Sequence, residues 1–160
     1  MQNEEQEFND DEKSLFQGAI EARDENNEER AIALLELLLE RKPNSAVANV
    51  VLAGIYFNRE DYDISVQYFK KATQYRPKSK LSSLGYHRSL WKLGRIREAL
   101  KEAERFLLHS YVENYDDLVR ELMLRPQMKA YQENKDLIDR LHQMINRYPV
   151  AGEDGVIRSE

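Results

Sequence analysis

Along most of the chain, apolar residues return at every third or fourth position, the spacing of one face of an α-helix. Ile32, Leu35, Leu38 and Leu39 form one such stripe, and Leu100, Ala103, Phe106 and Leu107 form another. Short polar breaks interrupt the stripes at Glu25-Asn26-Asn27, at Asn58-Arg59-Glu60-Asp61 and at Leu93-Gly94-Arg95. The pattern predicts helices near 12–24, 28–41, 46–58, 62–75, 80–92 and 96–109. Pro43 and Pro77 should end the second and fourth of these, because proline lacks an N–H and disfavours helical geometry in the residue before it. Ser45 and Ser79 then stand where side-chain oxygens would cap the following helices. After Asn114 two more stripes follow, Tyr115 to Met123 and Tyr131 to Tyr148, parted by Pro126.

The predicted helices repeat with a period. A shift of 34 residues carries Pro43 onto Pro77, Ala19 onto Ala53, and Leu35 onto Phe69. The same shift joins Ala31, Ser65 and Ala99, then Leu38, Ala72 and Phe106, then Ala22, Tyr56 and Leu90. One register accounts for all of these, so each unit is a helix pair.

Leu52-Ala53-x-x-Tyr56, followed by Ser65-x-x-x-Phe69, Ala72 and Pro77, resembles the tetratricopeptide repeat (TPR) signature, with Ala in place of its Gly. Gly94-Arg95-Ile96-Arg97-Glu98-Ala99 resembles the turn and second-helix start of the same motif. The family's Trp is absent, its positions being held by Leu15, Asn49 and Ser83, and His87 stands at a small-residue site. The resemblance implies an all-α fold, a right-handed superhelical solenoid of antiparallel helix pairs with about eight helices. The expected organisation is an acidic flexible start over 1–11, three TPR-like repeats over 12–113, a capping helix pair over 114–148 and a flexible tail over 149–160. A terminal pair is required because a stack of repeats ends on an apolar face.

Charge refines the picture. The net charge of −5 disfavours nucleic acid as a general partner. The acids crowd the first thirty residues, whereas Arg76 to Arg105 carries nine bases against Glu98, Glu102 and Glu104. No Cys is present, which removes disulfides and thiolate chemistry and fits a reducing compartment. With no apolar stretch of membrane length and no basic-apolar leader, the expected location is cytoplasmic. His87, His109 and His142 fall on different predicted helices without metal-binding spacing, and the glycines form no phosphate loop. Neither a cofactor, a metal nor an enzymatic activity is expected.

In the family that the chain resembles, partners lie against the first helix of each repeat. The matching positions here include Phe16, Ile20, Val47, Val50, Phe57, Leu81, Leu84, Arg88, Trp91 and Lys92, an apolar set with two cations. The sites matching the clamp that holds acidic chaperone C-termini are Phe16, Ile20, Val51, Leu81 and Gly85, which are unsuited to that role. Gly54 and Gly85 sit on the same face, where a glycine lowers helix stability by about 1 kcal/mol against Ala, so close packing against their backbone is expected. The expected function is an adaptor or scaffold that binds an apolar, partly acidic segment of another protein. The alternatives are a small cytoplasmic chaperone for a secreted client and an inhibitory or immunity-type subunit that blocks an enzyme.

Overall fold

The computed structural model describes residues 8–109 and 113–147. Among them are eight helices: α1 Asp10–Asp24, α2 Glu28–Arg41, α3 Ala46–Asn58, α4 Tyr62–Tyr75, α5 Lys80–Lys92, α6 Ile96–Leu107, α7 Glu113–Leu124 and α8 Lys129–Ile145. The fold is all-α, with α1 to α5 each packed on its sequence neighbour and α7 packed on α8, consistent with TPR-like helix pairs. The chain divides into two compact units, residues 1–94 and 95–160.

Helix ends follow the sequence closely. α2 and α4 stop one residue before the residue that precedes each proline, and Lys42 and Arg76 take matching non-helical geometries (φ −132° and −130°, ψ 76° and 80°). Ser45 and Ser79 accept from the backbone N–H of Ala48 and Ser82, capping α3 and α5. Asn27 does the same for α2 through Arg30. α1 starts earlier than the expected residue 12. Asn9 and Glu12 form a reciprocal capping box there, each side chain accepting from the other's backbone N–H. Of the stretch 1–11 expected to be loose, residues 1–7 lie outside the described residues, whereas Phe8 is buried. The expected tail over 149–160 also lies outside the described residues.

The 34-residue register reappears in the turns. Asn26, Glu60 and Gly94 occupy equivalent positions, and all take the left-handed conformation, with φ of 59°, 65° and 72°. Asn and Gly adopt it readily, while Glu60 does so against the clash of its Cβ.

In the first unit α1 packs on α2, α3 on α2, α4 and α5, and α4 on α5. The register positions fill its core: Ala19, Ala22, Ala31, Leu35, Leu38, Leu52 and Ala53 are fully buried. Arg59 ties α3 to the start of α2 through Glu28 at 2.6 Å and Glu29 at 2.8 Å. In the second unit α8 packs on both α6 and α7. Its core joins Leu100, Phe106, Tyr115, Val119, Leu137, Ile138 and Leu141, and the rings of Phe106 and Tyr115 meet edge to face at 6.3 Å. On its surface Arg97 holds Asp136 at 3.1 Å, and Arg140 holds Glu104 at 2.8 Å, linking α8 to α6.

Candidate protein-binding face

α3 is the centre of the candidate face, and its composition is unusual for a helix of 13 residues: it carries no charge at all. Its inner side is committed to the core through Ala48, Leu52, Ala53 and Ile55. Val50, Val51, Gly54 and Phe57 remain only partly covered. A Cβ built on Gly54 would meet nothing within 4 Å, so the middle of the helix faces open space.

α5 packs against α3 and presents a related face. Leu81 is 65 % exposed, Leu84 and Trp91 are half-buried, and Arg88 and Lys92 are exposed. Trp91 is steadied by His87, the two rings stacked with centroids 5.8 Å apart. Phe57 and Lys92 are brought together by a residue that helical periodicity did not single out. The ring of Tyr62, the first residue of α4, lies 5.3 Å from Phe57 and beneath the Lys92 ammonium at 5.9 Å. Its position immediately after a turn was the available signal. Arg88 and Lys92 make no ion pair among the described residues, in contrast to Arg23, Arg30, Arg41 and Arg59.

Two expectations change. Phe16 is not on an open face: it is 8 % exposed, with the Phe8 ring 5.7 Å away, because the segment before α1 folds over it. Gly85 does provide close approach, but to the protein itself. A Cβ there would stand 2.2 Å from the Phe69 ring, so the missing side chain makes room for α4 against α5. Ile20 and Val47 are intermediate cases, partly exposed yet packed on the core cluster.

Behind this face runs a buried polar seam. Ser65 Oγ lies 2.9 Å from both the Ala53 carbonyl and Ser89 Oγ, and Ser89 Oγ lies 2.9 Å from the Gly85 carbonyl. The two hydroxyl hydrogens fill two of the three contacts at a time, and both serines are fully buried; the seam joins α3, α4 and α5 from inside. Among the described residues no group of acidic or imidazole side chains is arranged to hold a metal ion. No described helix is long and apolar enough to cross a membrane.

The sequence model of the family described as anaphase-promoting complex, cyclosome, subunit 3 (ANAPC3) matches residues 24–106, just over half of the chain. The chain belongs to the ANAPC3 family. Comparison with curated proteins gives no match. The ANAPC3 match spans α2 to α6 apart from the last residue of α6, and so includes α3 and α5 with all of their exposed apolar positions. Domains of this TPR-like kind are typically non-catalytic binding modules, which gives the chain a role in protein–protein interaction.

Proposed function

We propose that the chain acts as an adaptor that holds an apolar, partly acidic segment of another protein against the α3–α5 face. Val50, Phe57, Leu84 and Trp91 supply the apolar contact, and Arg88 and Lys92 receive carboxylates beside it. The observation that carries this reading is the uncharged α3, open at Gly54 and flanked by a half-buried tryptophan. A solvated helix face is ordinarily polar, and exposed apolar surface rimmed by charge marks interaction sites. The family name denotes a subunit of a multiprotein complex, which supports a surface built for partners.

The test begins with capture of partners from the native cell, using the parent and a Phe57→Ala, Trp91→Ala variant side by side. Affinity is then measured with the purified partner. Truncating an aromatic anchor commonly costs about 2 kcal/mol, so Trp91→Ala should weaken binding by roughly 30-fold. Variants that melt like the parent and bind the partner as tightly would refute the reading. The nature of the captured partner separates the versions of this role. A client that is unfolded when free identifies a chaperone, and a folded enzyme that loses activity identifies an inhibitory subunit.

A further inference from the structure

Between Ile64 and Gly94 the chain has seven bases and no acid, in a protein with 29 acids among 160 residues. Two of the seven, Arg88 and Lys92, belong to the face already described. The others, Lys70, Lys71, Arg76, Lys78 and Lys80, lie on the last turns of α4 and along the turn into α5.

The fold gives little use to this charge. Lys70, Lys78 and Lys80 are exposed and make no ion pair or ring contact among the described residues. Lys80 opens α5, whose first turn has no acid, although a cation is disfavoured at the positive end of the helix dipole. Repeat architecture does not demand lysines either. The residues 34 positions before Lys70, Lys71 and Gln74 are Glu36, Leu37 and Glu40, so the outward face of α2 is acidic where that of α4 is basic. Beside the lysines Tyr75 is 44 % exposed, one turn beyond Lys71 on the same side of the helix.

We propose that the outward face of α4 and the α4–α5 turn form a second protein-binding surface, which takes an acidic segment of a partner. A short run of carboxylates meets Lys70, Lys78 and Lys80, and an apolar side chain of the same segment lies on Tyr75. A protein segment fits better than a nucleic acid. The basic strip is short, and at its α4 end the Tyr68 ring lies under the Lys71 ammonium at 5.2 Å, its phenol pKa raised by burial and then by the Glu36 carboxylate of α2. A longer phosphate chain would run into that acidic neighbour, while a short carboxylate run would not.

The probe is a fluorescein-labelled peptide of two Glu-Glu-Asp-Leu units, followed by anisotropy at about 50 mM and about 300 mM salt. The parent should bind it at low salt and lose most binding at high salt. Lys70→Glu with Lys78→Glu and Lys80→Glu should weaken binding about tenfold or more, because each exposed pair contributes modestly and reversal adds repulsion. That variant should melt no lower than the parent, since Glu at the start of α5 suits the dipole. Tyr75→Ala should weaken binding without changing its salt dependence. Because the α3–α5 face is also proposed to take apolar, acidic segments, the triple substitution is measured again in a Phe57→Ala, Trp91→Ala background, where it should cost the same factor, so failure of the α3–α5 reading and failure of this one can be told apart. The proposal is overturned if the parent does not bind the peptide at low salt, or if the triple variant binds like the parent. It is equally overturned if the triple substitution costs nothing in the Phe57→Ala, Trp91→Ala background, or if a single-stranded RNA octamer displaces the peptide at lower concentration than unlabelled peptide does.

Discussion

Gly54 and Gly85 offer a matched pair of substitutions whose outcomes should have opposite sign. Both sit inside helices, so replacement by Ala brings the same gain in helix propensity, about 1 kcal/mol. At Gly54 nothing stands within 4 Å of the added methyl, and the gain should appear in full. At Gly85 the methyl would meet the Phe69 ring at 2.2 Å, whereas carbon atoms rest about 3.5–4.0 Å apart, so α4 and α5 must separate by more than about 1 Å. Phe69 is buried and cannot swing into solvent, and overpacking of this kind costs about 1–3 kcal/mol. The two variants should therefore differ by about 1–3 kcal/mol, with Gly54→Ala above the parent and Gly85→Ala at or below it. For a chain of this length each kcal/mol corresponds to about 2–4 °C in Tm. Trp91 is the chain's single tryptophan and lies on α5, the helix that carries Gly85, so its fluorescence in urea follows unfolding around that site. Phe69→Leu added to Gly85→Ala should recover part of the loss, because the two sites are coupled by contact. A Gly85→Ala protein more stable than the parent, or a destabilised Gly54→Ala, would refute this account of both glycines.

Glu60→Gly should raise stability by up to about 1 kcal/mol in urea titrations, because it relieves a left-handed Glu where the equivalent turns hold Asn26 and Gly94. Ala53→Leu should lower the melting temperature, since Ala53 is fully buried at the contact between α3 and α4 and overpacking costs about 1–3 kcal/mol; an unchanged melt would contradict the packing. In the second unit the Asp136 carboxyl is held below its ordinary pKa, first by the hydrogen bond from Arg97. Its contribution should be present above the unfolded value of about 3.9 and fade as pH falls through the lower folded value. Melts of the parent and Asp136→Asn should differ slightly at neutral pH and converge in acid; a gap that persists in acid would assign the effect to packing.

Much of the fold was legible because its punctuation recurs. Pro43 and Pro77, with Ser45 and Ser79 behind them, mark helix ends by local chemistry that needs no tertiary information. The small residues at Ala19, Ala31, Ala53, Ser65 and Ala99 mark close helix approach, and every one is buried. What periodicity could not supply was the identity of the neighbour. It placed Phe16 on an open face of α1, yet Phe8, a lone aromatic in an acidic stretch, packs against it and Phe16 is buried. It marked Gly85 as a site of close approach, but not that an internal ring would fill the space. Tyr62 was missed for the same reason, since its contacts with Phe57 and Lys92 come from other helices and its place after a turn was the one local signal.

The positions that depart from the repeat signature bear on how the proposed binding face is held. Where the signature has Trp, this chain places Asn49 and Ser83 in buried sites. Asn49 Nδ2 donates to the Ser45 carbonyl at 2.7 Å, while its Oδ1 is buried without a hydrogen-bond partner among the described residues. A small polar group thus stands where the family packs its largest apolar side chain, so core volume contributes less to holding α3 than it does in a standard repeat. Among the further constraints are the Ser65–Ser89 seam, which reaches the Ala53 carbonyl of α3, and the Phe69–Gly85 contact between α4 and α5. They fix the spacing of these helices while leaving Val50, Gly54, Phe57 and Trp91 uncommitted. Removing a seam hydroxyl by Ser89→Ala should then shift α5 without touching any group on the proposed binding face, and so weaken capture of a partner there while leaving the helical dichroism unchanged; unaltered capture would refute this.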